Sequence, residues 1–186
     1  MDLSPHRTVG EFFREALHAA FRSQGVAASA DAEFYLVNLL SEYAHAPLQD
    51  EPLALRLSTA ATALPDERAR QLREIGDQSL YVSGFFSDSL SRSLVDVDYY
   101  IRIGGTAYGQ LARMQMCGRA AGPVFVELSG KFPQFVEVLA EVSAESALTT
   151  ERGVVELYQR WLRTGSEWSE RKLRARGVLP RRGPLQ

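Results

Sequence analysis

The stretch DVDYYIRIGGTAYGQLARM, residues 96–114, decides how this chain is read. Apolar and aromatic residues recur in it at helical spacing, yet Gly104-Gly105 sits at its middle. Each glycine costs about 1 kcal/mol against alanine in a helix interior, so a helix here needs a compensating reason. Gly105, Gly109 and Ala112 or Arg113 fall along one helical face. Upstream, Gly76, Ser79, Ser83 and Ser87 also recur at spacings of three and four. Two stripes of small residues on consecutive helices let the backbones approach closely, and the short 88–96 connection favours antiparallel neighbours. A close crossing is therefore expected, with a kink or hinge as the other way to use two glycines. On this reading Gly105→Leu destabilises strongly.

Outward from that stretch the same helical period continues. Thr8 to Glu11 forms a capping box ahead of Val9, Phe12, Phe13, Ala16, Ala20 and Phe21, and Gly25 is placed to end the helix. A second helix follows Ser29 and reaches about residue 45, apolar over most of its surface. Pro52 precedes a shorter one, LALRLSTAATA, and Pro65-Asp66-Glu67 opens a long one extending to about residue 90. Pro123 starts VFVELSGKF, and Pro133 either kinks that helix or begins a fresh one. Thr149 and Ser166 cap two more segments before the tail VLPRRGPLQ. Strand alternation is nowhere sustained and no Asn-Gly or Asp-Gly hairpin turn occurs. The expected fold is all-α, a compact bundle of seven to eight helices with a kinked or closely packed Gly-Gly helix near its centre. Residues 1–177 are read as one helical domain and 178–186 as a flexible basic C-terminal tail.

Composition sets the class. The 186 residues are 45 % apolar and 24 % charged, ordinary for a folded soluble chain, with a net charge of −2. No run of about 18 apolar residues is present, so no membrane span is expected, and the N-terminus does not resemble a signal peptide. Cys117 stands alone, which leaves no internal disulfide and no multi-cysteine metal site. The cytoplasm is the expected location.

Chemistry-bearing residues are sparse. Tyr81, Tyr99, Tyr100, Arg102 and Tyr108 surround Gly104 and Gly105 in sequence and form a candidate ligand-binding set, because tyrosine brings an apolar body and a polar tip. GGTAYG lacks the Lys-Ser or Lys-Thr of a phosphate loop. Glu15-x-x-His18 and Glu42-x-x-His45 resemble the helical carboxylate proteins of the ferritin-like kind, in those four residues only. Their faces argue otherwise: Glu15 and His18 lie opposite the apolar face of the first helix. Asn38, Ser41, Glu42 and His45 share the one polar face of the second. Neither a metal nor a cofactor is expected. Asp96 and Asp98 suit helix capping, and Met114, Met116 and Cys117 suit a core. No Gly-x-Ser-x-Gly elbow exists, and Glu127, Glu137 and Glu141 read as a wet helical face. The chain therefore leans away from catalysis.

The C-terminal end is basic. Arg171, Lys172, Arg174 and Arg176 surround the last helix, with Trp168 and Leu173 as apolar anchors, and offer a surface for an acidic protein partner or for nucleic acid. The leading functional expectation is a cytoplasmic helical binding or regulatory protein that acts through protein–protein contacts, with a second copy of the chain as one candidate partner. A small-ligand sensor or enzyme using the tyrosine and Arg102 pocket is the alternative. Nucleic-acid association through the basic helix comes third.

Overall fold

The computed structural model describes residues 8–44, 48–49, 51–86, 96–116 and 123–147, and single positions at 158, 161, 170, 173, 174 and 178. Seven helices and no strand occupy the described residues: α1 Val9–Gln24, α2 Ala30–Tyr43, α3 Leu53–Thr62, α4 Pro65–Phe85, α5 Val97–Met116, α6 Val124–Gly130 and α7 Phe132–Ala147. The chain groups into two compact units, Met1–Val142 and Ser143–Gln186, with the division falling inside α7. None of the described helices is long and apolar enough to cross a membrane.

Helix ends follow the local chemistry of the sequence. The Thr8 hydroxyl accepts from the Glu11 amide at 3.2 Å while Glu11 Oε2 accepts from the Thr8 amide at 2.9 Å, a complete capping box. Gly25 closes α1 at φ 65°, a left-handed geometry that glycine adopts without the steric cost of a Cβ. Ser29 caps α2 through Ala32, and Asp96 accepts from the Tyr99 amide at 3.0 Å at the start of α5. Of the two options for Pro133, the chain takes a fresh helix: Lys131 forms a turn and Pro133 occupies the first turn of α7, where its missing N–H costs nothing. The expected helices over 151–164 and 167–177 lie largely outside the described residues, as does Ser87.

The close crossing exists, but its register on α5 differs from the one expected. α4 and α5 are packed extensively against each other. Gly76, Ser79 and Ser83 are buried along α4 as the small-residue stripe requires. On α5 the matching position is Gly104. A Cβ there would stand 2.3 Å from Phe132 Cζ and 2.6 Å from Ser79 Cβ. Opposite Gly76 lies the Tyr108 ring, 2.3 Å from where a Cβ would project. Pairing 76 with 108 and 79 with 104 makes the two helices antiparallel. α5 remains helical through both glycines, so their amides stay within the helix. Gly105 and Gly109 turn instead toward Ser129 and Phe132; a Cβ at Gly105 would meet only Phe132 Cβ, at an ordinary 3.9 Å. The expectation for Gly105→Leu therefore transfers to Gly104.

Behind this crossing lies the core of the first unit. Leu17, Leu36, Leu40, Leu72, Ile75, Leu80, Leu111, Leu128, Phe135 and Leu139 are all shut off from solvent. Gly84 admits Leu139 of α7 against α4, with a Cβ position 2.5 Å from Leu139 Cβ. In the second unit, Trp161 and Leu173 are buried and pack with Tyr158 and Val178.

Candidate functional site

A buried acid sits at the centre of the first unit. Asp77 lies mid-helix in α4, one residue after the Gly76 that receives the Tyr108 ring. Its carboxylate is 13 % exposed. Tyr108 donates to Oδ1 at 2.6 Å, and Tyr35 of α2 donates to the same oxygen. Both hydroxyls need a partner because their rings are packed inside. Tyr108 is fully buried, with Phe125 at 5.6 Å and Phe132 at 5.8 Å, and Tyr35 meets Tyr108 edge-on at 6.3 Å.

The other oxygen is treated differently. Oδ2 has Arg73 Nε as its nearest cation, at 3.7 Å, beyond hydrogen-bonding distance, and it takes no hydrogen bond from the described residues. Arg73 is committed elsewhere: its guanidinium lies 5.2 Å over the Tyr35 ring, and its Nε donates to the Tyr35 hydroxyl at 3.2 Å. Burial pushes the Asp77 carboxyl up to about 6, against the opposing pull of the two tyrosine hydroxyls and Arg73. Asp77 opens on a cavity of about 330 Å³ between α2 and α4, whose walls include Asp31, Asn38, Glu42, Arg73 and Tyr35. Phe34 stands on its rim, 69 % exposed. Asn38 and Glu42, from the polar face of α2, thus stand in one wall of the cleft, whereas His45 lies outside the described residues.

Burial raises the Tyr35, Tyr43 and Tyr108 phenols above their ordinary value, and the nearby Asp77 charge adds to the effect at each. A phenol raised in the folded state contributes stability that is complete below its unfolded value and is lost as pH climbs toward its folded one. In an alkaline absorbance titration these three are expected to ionise only together with the loss of helical circular dichroism. Reversible ionisation of all seven tyrosines near pH 10 in folded protein contradicts this burial.

The residues singled out from the sequence are dispersed rather than gathered around one cavity. Tyr81 is stacked between Tyr43 at 5.0 Å and Phe85 at 4.9 Å. The Tyr99 hydroxyl accepts from the Ala54 amide at 3.2 Å, and its ring meets Tyr100 edge-on at 5.3 Å. Gly104 is filled by Phe132, and Tyr108 serves Asp77. Arg102 and Gly105 do line a common groove, described below. Among the basic C-terminal residues, Arg174 is exposed and pairs with Glu170 at 2.6 Å, while Arg171, Lys172 and Arg176 lie outside the described residues.

Other polar groups are structural. Glu127 accepts from the Ser29 amide and hydroxyl and from Lys131, joining α6 to the start of α2. Burial works to raise its carboxyl, but those donors hold it below the usual range. Arg56, nearly buried, donates to Gln78 at 2.7 Å and Glu74 at 3.3 Å, tying α3 to α4. No group of three metal-ligating side chains occurs among the described residues. His18 stands 3.9 Å from Glu33, and His45 and Cys117 are outside the described residues.

The grouping escaped the sequence reading because Tyr108 and Tyr35 reach Asp77 across 31 and 42 residues, and Arg73, one turn before Asp77 on the same helix, joins them by donating to the Tyr35 hydroxyl. The one local signal was an acid bordering the buried stripe of α4, beside a glycine. Compared with family models, with curated proteins and with solved structures, the chain matches none.

Proposed function

We propose that the chain is a binding protein acting through protein–protein contacts, and that the cleft over Asp77 receives a basic side chain of its partner. The observation that supports this reading is Asp77 Oδ2, a carboxylate oxygen of a mostly buried side chain that opens on a cleft and takes no hydrogen bond from the described residues. Asp31, Glu42 and Asp77 bring three carboxylates to the cleft against the single guanidinium of Arg73. A lysine or arginine end group supplies the missing donor and a compensating charge, and such charge-assisted hydrogen bonds are about twice as strong as neutral ones. Phe34 offers an apolar face for the methylene stem of the incoming side chain. The volume suits one side chain. No reaction is assigned, since the site pairs no nucleophile with a base. The cytoplasm remains the proposed compartment, consistent with a single cysteine.

Binding of capped arginine, lysine and norleucine amides, followed by amide NMR shifts at Asn38, Glu42 and Asp77, tests the reading. The two cationic probes are expected to bind and norleucine is not, and Asp77→Asn should weaken the cationic probes about tenfold. Equal shifts with norleucine amide, or undiminished binding to Asp77→Asn, overturn it. Free methylguanidine binding as tightly as the capped residue would instead indicate a small amine or guanidine ligand.

A further inference from the structure

A second face of the first unit carries opposite chemistry. Arg102, Gly105, Gly109 and Arg113 follow one another at spacings of three, four and four on α5, which puts them on one stripe of the helix. The Cα atoms of the two arginines are about 16 Å apart along the axis. Between them Gly105 leaves the backbone bare, whereas at Gly109 a Cβ would stand 3.0 Å from Ser129 Oγ and 3.8 Å from Arg113 Nη1, so the Arg113 guanidinium folds back along the stripe toward Arg102. The facing wall is Ser129 and Gly130 of α6 with Phe132 and Pro133 of α7, and the groove encloses about 490 Å³. Ser129 Oγ donates to the Gly105 carbonyl at 3.0 Å and holds that wall in place. The packing of Phe132 into Gly104 fixes the same wall from below.

The described lining of the groove is cationic. No carboxylate lines it, and neither Arg102 nor Arg113 makes an ion pair with any described residue. Elsewhere on the unit, Arg56, Arg70 and Arg73 are each beside an acid. Two guanidiniums with no acid beside them among the described residues call for two anionic groups on an elongated ligand. An extended peptide advances about 3.3 Å per residue and alternates its side chains between faces, so acidic side chains four positions apart share a face and stand about 13 Å apart. With Arg113 folded back toward Gly109, that spacing suits the two guanidiniums, and glycine at 105 lets the peptide backbone lie against the helix.

We infer that the α5–α7 groove binds an extended acidic peptide segment whose carboxylates, four residues apart on one face, pair with Arg102 and Arg113. The groove shares no lining residue with the Asp77 cleft, so either site can fail without the other.

The test is fluorescence anisotropy with a labelled, capped pentapeptide bearing Glu at both ends of a Ser-Gly-Ser spacer, against the same peptide with Gln ends and against inorganic phosphate as competitor. The Glu peptide is expected to bind with an affinity that falls as salt rises, and the Gln peptide is not. Arg102→Gln and Arg113→Gln should each weaken binding about tenfold, while Arg22→Gln on α1 leaves it unchanged. Gly105→Leu, which meets no close neighbour at its Cβ, should fill the trough and abolish binding without lowering Tm. Binding that survives both arginine substitutions, or that all three arginine substitutions weaken alike, overturns the inference. So does displacement of the Glu peptide by equimolar phosphate, which would mark a simple anion site.

Discussion

Gly104→Ala is expected to cost about 3 kcal/mol of folding stability, although alanine favours a helix by about 1 kcal/mol over glycine. The new methyl would stand 2.6 Å from Ser79 Cβ and 2.3 Å from the Phe132 ring. Ser79 Cβ is attached directly to the α4 backbone and cannot swing aside, and Phe132 is only 1 % exposed. Relief at Ser79 therefore requires α4 and α5 to move apart, although they are closely packed along their length. Gly105→Leu, one residue on, is expected to change stability by less than about 1 kcal/mol, because its side chain enters the open groove and gains helix propensity. Urea denaturation of the two variants decides the matter. A Gly105 variant that loses more than the Gly104 variant places the crossing on the other face of α5 and refutes the register described.

The second large effect concerns Asp77 and has the opposite sign for two different replacements. The folded carboxyl titrates at about 6, whereas the unfolded one keeps its ordinary 3.8. Between those values the unfolded chain binds fewer protons than the folded one, so rising pH favours unfolding. The contribution from this group is complete below about pH 4 and gone above about pH 6, a loss of roughly 3 kcal/mol. Asp77→Asn never ionises, and its Oδ1 still accepts from Tyr35 and Tyr108. At pH 7 it should be about 2–3 kcal/mol more stable than the parent, with the difference vanishing near pH 4. Asp77→Leu removes the acceptor and leaves two buried hydroxyls unpaired, for an expected loss of about 2–4 kcal/mol at pH 7. Denaturation of all three proteins from pH 4 to 7 separates this residue from carboxyls that titrate the other way, such as Glu127, because only the differences from the parent are read. A constant difference between parent and Asp77→Asn across that range rules out the assigned titration.

Stability and binding are linked at this position. A carboxylate that weakens the fold at neutral pH is a group whose charge finds incomplete compensation in the free protein, and a cationic partner would supply it. The gain in stability from Asp77→Asn and the loss of cation binding are expected to accompany each other. The Arg102–Arg113 groove carries no such cost, since its guanidiniums border an open groove rather than the core.

By itself, the sequence determined the helices and their punctuation. Thr8, Ser29, Pro65 and Asp96 start helices through bonds or dihedrals that reach no more than a few residues, and Gly25 ends one the same way. The small-residue stripe of α4 was equally legible, since Gly76, Ser79 and Ser83 declare a narrow face whatever packs on it. Which glycine of the pair 104–105 entered the crossing was not legible. The two are about 100° apart around α5, and either faces α4 after a modest rotation of the helix. Phe132, 28 residues further on, selects Gly104 by occupying the space over it, and thereby leaves Gly105 to the groove. Asp77 is the stronger case. Within a turn of it stand only Gly76 and Arg73 as hints, and its properties arise from a tyrosine 42 residues before, another 31 residues after, and the burial that their packing brings. Local hydrogen bonds and side-chain periodicity are properties of short segments, so the chain spells them out. The register of one helix on another, and the solvation of a charge between them, belong to the assembled packing and were decided only there.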